Sequence, residues 1–259
     1  MGYSPDYAKI APVYDEARSR YVIHPDRDLK EARERAVHSG EDRIFTVLDV
    51  ACGTGNYLQR QYGHFGTAAM RWYGIDRSPD MLARARGKDL PVDLRRADVE
   101  ALPFDDGFVD FAVCNFAFHH FQDKKTALDE ILRVLAGNGT VKIHNINPDK
   151  MEAWWVYRFF PETRDIDRER FMTVEMLWGE LESRGCTVRT RGKYATTRVS
   201  LFDVRAQALC RDISQIALLP DDRFNRGIER IEAELASDPD ASLFTENAII
   251  SVVGIRNSP

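Results

Sequence analysis

A chain of 259 residues with 44% apolar and 30% charged side chains has material for one large α/β domain, or for a domain with a small cap. Its net charge of −5 supplies no basic face for gripping phosphates, so no nucleic-acid partner is expected, and its most apolar stretch, 108–121, is too short to cross a membrane and contains Asp110. The N-terminus lacks a basic-then-apolar signal, and cysteines at 52, 114, 186 and 210 have neither disulfide nor zinc spacing, which reads as a cytoplasmic protein with reduced thiols and no metal.

Residues 1–40 read as helical and polar. Pro25, Asp26 and Asp28 mark a helix start, and Leu29, Ala32 and Ala36 form a thin apolar stripe. Tyr3, Tyr7, Tyr14 and Tyr21 recur at near-regular intervals, either packing this segment onto the main domain or lining a cleft. The next stretch organises the chain. Val47–Leu48–Asp49–Val50 is an apolar run holding an acid, Gly53 and Gly55 form a tight loop, and a helix-like stretch leaves it: strand, turn, helix, as in nucleotide-binding α/β domains. Glycines there admit a ligand close to the backbone, and free N–H groups at the next helix start favour an anion. A dinucleotide fingerprint wants a third small residue where this chain has Leu58.

Arg71–Asp76 reads as a second strand ending in an acid, followed by Ser78–Pro79–Asp80 as a helix start. An acid 21 positions after Gly55 can accept both ribose hydroxyls of an adenosine ligand, whether that ligand is NAD or S-adenosylmethionine. Met81 either packs on the adenine or belongs to the core. A third strand ends at Ala97–Asp98, where Asp98 can take the adenine amine and the Val99 backbone can support the ring. Phe108–Cys114 is a buried fourth strand, and the loop after it, Asn115 to Phe121, faces the reacting centre. His119 and His120 are candidates for proton handling or for structural packing.

Asp123 caps a helix with Leu128, Ile131, Leu132 and Leu135 on one face, which Gly137 is expected to stop. Strand five, Thr140 to Ile146, ends in His144 and Asn145, each able to orient a nucleophile or to make a structural hydrogen bond. Trp154, Trp155, Tyr157, Phe159 and Phe160 are too aromatic for a plain connection, and the expectation is a lid over the acceptor. Thr173 caps a further helix, Cys186–Thr190 is a strand, and 200–238 is a polar helical insertion with Phe224, Ile228, Ile231 and Leu235 on one face. Residues 247–255 supply the last strand.

Asp49-x-x-Cys52-Gly53-x-Gly55, together with Ala97–Asp98–Val99 followed by Leu102–Pro103–Phe104, resembles the motifs of class I S-adenosylmethionine-dependent methyltransferases. The likeness is to their small-molecule group, the methyltransferase type 11 or ubiquinone–menaquinone biosynthesis-like enzymes. Tyr14–Asp15 resembles a pair that precedes the first motif in some of them. The resemblance implies a Rossmann-like α/β fold: a seven-stranded, mostly parallel sheet with helices on both faces and a helical cap. It divides the chain into a cap at 1–40, a cofactor core at 41–147, an aromatic lid at 148–172 and the rest of the core at 173–259. It also implies S-adenosylmethionine as cofactor. Asp49 and the loop of Ala51, Cys52, Gly53 and Gly55 would hold the methionine end, with Asn115 and Phe116 closing below, and Tyr14, Asp76, Arg77, Met81, Asp98 and Val99 making the remaining contacts. Tyr21, Asn145, Trp154, Trp155 and Tyr157 are the acceptor-side candidates. The implied reaction is in-line methyl transfer to an oxygen, nitrogen or carbon of a small-molecule substrate. Cyclisation within the cofactor, and a non-catalytic binding module, are the alternatives.

Overall fold

Strand β1 (Phe45–Val50) is buried along its whole length, as a central strand covered on both faces must be. The computed structural model describes residues 25–38, 43–66 and 69–257. Around β1 the chain builds β2 (Met70–Asp76), β3 (Asp93–Arg96), β4 (Val109–Asn115), β5 (Leu135–Ile146), β6 (Cys186–Ser200) and β7 (Ser242–Arg256). They form one seven-stranded sheet in the order β3-β2-β1-β4-β5-β7-β6. Only β7 runs against the rest, pairing antiparallel with both β5 and β6. The order reverses between β1 and β4, which opens a crevice at their carboxyl ends.

Helices α1 (Arg27–His38), α2 (Asn56–Phe65) and α3 (Pro79–Arg86) cover one face. There Leu29, Leu58 and Leu82 pack on Val47, Trp72, Phe111 and Val113. On the other face α4 (Lys124–Val134) and α7 (Val174–Ser183) bring Leu128, Ile131, Leu177 and Leu181 against Leu48, Ala112, Val141 and Ile143. Helix starts follow the expected chemistry: Ser78 Oγ accepts the Met81 N–H, and Asp123 accepts those of Lys125 and Thr126. The stop at Gly137 does not hold. Helix α4 ends at Val134, Leu135 is already extended, and Asn138 (φ 63°) makes the left-handed turn inside the strand.

Charge clamps α1 to the sheet. Lys142 of β5 reaches Asp26 at 2.8 Å and Asp28 at 3.2 Å, and Arg189 of β6 lies 2.9 Å from Asp28. The Tyr57 hydroxyl, one turn past the glycine loop, donates to Asp26 at 2.9 Å. A buried ammonium and two buried carboxylates persist because each faces an opposite charge.

Strands β6 and β7 are far longer than expected, with paired registers from Cys186↔Arg256 to Ser200↔Ser242. Their outer halves leave the sheet and carry between them α8 (Leu201–Leu209), α9 (Ser214–Ala217) and α10 (Asp221–Ser237). With α5 (Trp155–Phe159) and α6 (Glu162–Arg170) these helices enclose a second core. Here the aromatic segment meets its fate. Trp154, Trp155, Tyr157, Phe159 and Phe160 are all buried against Leu201, Val204, Phe224 and Ile231, so they form an interior and not a lid. The physical reason is the apolar stripe of α10, which must be covered and has these rings as its cover. Gly227 lets the helix approach: a Cβ there would lie 2.0 Å from the Phe160 ring. Among the described residues no helix is long and apolar enough to cross a membrane.

Candidate active site

At the carboxyl ends of β1, β2 and β4 lies a cavity of about 160 Å³. Its floor comes from residues at the tips of parallel strands. Ala51 (φ 56°) and Phe116 (φ 50°), just past β1 and β4, both take left-handed backbone conformations. For side-chain-bearing residues this is costly, and such strain gathers where a ligand is gripped. Gly53 (φ 55°) faces open space where a Cβ would stand.

The β2 tip supplies the fixed charge. Asp76 Oδ2 accepts the Gly53 N–H at 2.8 Å and Oδ1 accepts the Ser78 N–H at 2.8 Å. Burial raises its carboxyl above the usual range, and these two backbone donors oppose that rise. Each oxygen retains a further lone pair for a hydroxyl. Next to it Met81, Val99 and Phe121 give apolar walls, and Asp98, held by the Glu100 N–H at 3.1 Å, stands at the rim. Asn115 Nδ2 and Asp49 Oδ1 are buried atoms with no hydrogen-bond partner. Asp49 is level with Val113 across the β1–β4 pair, so its side chain shares a face with Asn115 two residues on.

Nine expected cofactor residues line this cavity: Ala51, Gly53, Asp76, Arg77, Met81, Asp98, Val99, Asn115 and Phe116. Asp49, Cys52 and Gly55 do not. Asp49 sits beneath it, its carboxyl raised well above normal by burial and by Asp76. Burial likewise pushes the Cys52 thiol up. Gly55 serves packing, since a Cβ there would meet Ala85 at 3.2 Å. Tyr14 and Tyr21 lie outside the described residues. The motifs did not mark Ile75, Ala97, Glu100, Ala117, Phe121 and Gln122, which also line it. Each lies within two positions of an expected residue, so extending the motifs along the strand tips and the loop after β4 reaches them.

A methyltransferase-domain family model matches residues 48–143. A demethylmenaquinone methyltransferase of Thermus thermophilus is 34% identical over 160 residues, 60% of this chain and 70% of that protein. The chain belongs to the small-molecule class I methyltransferases that use S-adenosylmethionine. A malonyl-[acyl-carrier protein] O-methyltransferase of Erwinia billingiae is 28% identical over 149 residues, 56% of this chain and 58% of that one. An S-adenosylmethionine-dependent methyltransferase structure from Aquifex aeolicus shares the fold at a TM-score of 0.55 and 24% identity, covering 72% of this chain and 92% of that one.

In this methyltransferase the three candidate histidines occupy different settings. His144 Nδ1 is 2.8 Å from Ser251 Oγ and its ring meets Phe116 edge-on. Burial and the Lys142 charge bring it down to about 4, so it is neutral at physiological pH. Asn145 Oδ1 accepts the Ile146 N–H, which turns its NH₂ toward His119 Nδ1 at 3.0 Å. His120 Nδ1 accepts from Arg170 at 3.0 Å. Both donors are obligate, so each Nδ1 is an acceptor and the ring proton of a neutral imidazole sits on Nε2. His120 lines the cavity at the tips of β1, β2 and β4, while His119 and Asn145 line a neighbouring one. Trp154, Trp155 and Tyr157 line neither.

Proposed function

We propose that the crevice at the tips of β1, β2 and β4 binds S-adenosylmethionine in extended form, and that the enzyme methylates an oxygen, nitrogen or carbon of a small-molecule acceptor held beside it. What carries the reading is the Asp76 carboxylate, locked by two backbone N–H groups with lone pairs to spare for a vicinal diol. The orphan donor on Asn115, which lines the crevice, matches the carboxylate of an amino-acid tail. Met81 and Val99 suit an adenine ring, with Asp98 placed for its amine.

When bound, the cofactor supplies an electrophilic methyl on a cationic sulfur, open to in-line displacement. This chain's contribution is alignment, from residues carried on hydrogen-bonded strand tips, with Phe116, Ala117 and Phe121 as the less polar part of the wall. Neither His119 nor His120 offers Nδ1 as a base. Such a site suits an acceptor that is already nucleophilic at working pH.

The relatives' names point to different acceptors, a demethylated menaquinone and a malonyl-[acyl-carrier protein]. Acceptor choice is read here as residing beyond residue 143, where the family match ends. Calorimetry with S-adenosylhomocysteine tests the cofactor assignment, and incubation with S-adenosylmethionine alone tests the chemistry. Release of methylthioadenosine with a cyclised amino acid, and no acceptor present, would replace methyl transfer by cofactor cyclisation.

A further inference from the structure

A second cavity of about 130 Å³ opens between the end of β5, the middle of β7 and the turn from α6 into α7. The 3-10 turn Phe118–His120 divides it from the first: Ala117 and His120 face the cofactor side, Phe118 and His119 face this one. It lies one strand along the same carboxyl edge, since Asn145 follows His144, the register partner of Asn115. Adjacent strands are only about 4.8 Å apart. A group held here is thus a neighbour of whatever the first cavity holds.

The walls are mostly apolar: Phe118, Ile143, Phe171, Val174, Leu177 and Ile250. Asp167 also lines it and is fully buried. Its Oδ2 is committed to the Tyr157 hydroxyl at 2.7 Å and to Gln215 Nε2 at 3.0 Å. Its Oδ1 accepts no hydrogen bond and lies 3.7 Å from Arg170 Nη1. Burial pushes this carboxyl up to about 6, so at neutral pH it is the ionised acceptor. A buried acceptor without a donor is unfavourable, and a ligand donor would satisfy it. Arg170 already balances the charge, so the donor wanted is neutral, a hydroxyl and not an ammonium. The size is also informative: an apolar cavity of about 150 Å³ takes up benzene.

Resting on the methyl-transfer reading above, we propose that this cavity seats a single six-membered ring of the methyl acceptor, with a ring hydroxyl donating to Asp167. Tyr157 then acts as a positioning residue, holding the far oxygen of that carboxylate.

Phenol, toluene and anisole are titrated into the whole protein by ligand-observed NMR, with S-adenosylhomocysteine affinity measured separately. Phenol is expected to bind at least about ten-fold tighter than toluene or anisole, as a hydrogen bond to a charged group allows. In Asp167→Asn the amide oxygen is needed by Tyr157 and Gln215, so its NH₂ replaces Oδ1 and turns acceptor into donor. The preference then inverts, anisole matching or exceeding phenol, which mere loosening would not produce. Val174→Phe, at the half-buried wall, abolishes binding of all three and leaves cofactor affinity unchanged. Equal binding of phenol and toluene to the wild type, or an Asp167→Asn protein that still prefers phenol, overturns the assignment. Failure of the wild type to bind S-adenosylhomocysteine would instead defeat the methyl-transfer reading.

Discussion

Asp76 accepts the backbone N–H of Gly53 at 2.8 Å, so the end of β2 sets the shape of the loop that follows β1. The same carboxylate holds Ser78, the cap of α3. One side chain therefore ties three segments together and still faces the cavity.

Asp76→Ala removes both the proposed diol acceptor and the loop's anchor. The expected loss in S-adenosylhomocysteine affinity is about 1–3 kcal/mol or more, for a buried acceptor taken away. Calorimetry reads it directly; an affinity within a factor of two of wild type would contradict the placement of the cofactor.

His144 makes the fold sensitive to acid. Burial, with Lys142, lowers it from 6.5 to about 4, while Asp26 and Asp28 pull the other way. The unfolded chain takes up a proton near 6.5 that the folded one resists, so stability present above 6.5 is lost as pH falls toward 4. The loss is on the order of 3 kcal/mol at most. Urea melts at pH 7, 5.5 and 4.5 should show this slope in the wild type and a shallower one in His144→Gln.

Lys142→Met leaves Asp26 and Asp28 buried without their shared cation. Breaking a buried pair from one side costs about 3–5 kcal/mol, and the low end is expected because Arg189 still faces Asp28. Denaturant unfolding measures the loss. Hydrogen exchange should localise it to α1, and protection spread evenly over the sheet would argue against the clamp.

Gly227→Ala drives a methyl into the Phe160 ring. Overpacking of this kind costs about 1–3 kcal/mol. Phe160→Leu in the same chain should recover part of it, and thermal melts of the two singles and the double supply the cycle. Strictly additive losses would mean the two residues do not meet as described.

What could be read from the sequence was what depends on near neighbours. The bend at Gly53, the acid at Asp76 and the cap at Ser78 all follow from local backbone needs; the structure brings Gly53 and Asp76 to one cavity and ties Ser78 to Asp76. Distant contacts were another matter. The rings of Trp154 to Phe160 looked like a lid because the surface they cover, on α8 and α10, lies roughly forty to eighty residues further on. Strands β6 and β7 ran long unannounced because Arg191–Ser200 lacks apolar alternation and is mostly exposed, held chiefly by pairing with its neighbour. Lys142 gave no hint of its burial, since its partner Asp26 is 116 positions away.

The hairpin of β6 and β7 has a topological outcome. The chain departs at Ser200 and returns directly opposite at Ser242, so everything between is a cassette entered and left through one doorway. Exchanging it for another would leave all seven strands in register. Because Phe160 nests against Gly227, and Trp155 and Phe159 share one core with Val204 and Ile231, the aromatic segment before it must travel as part of the transplant.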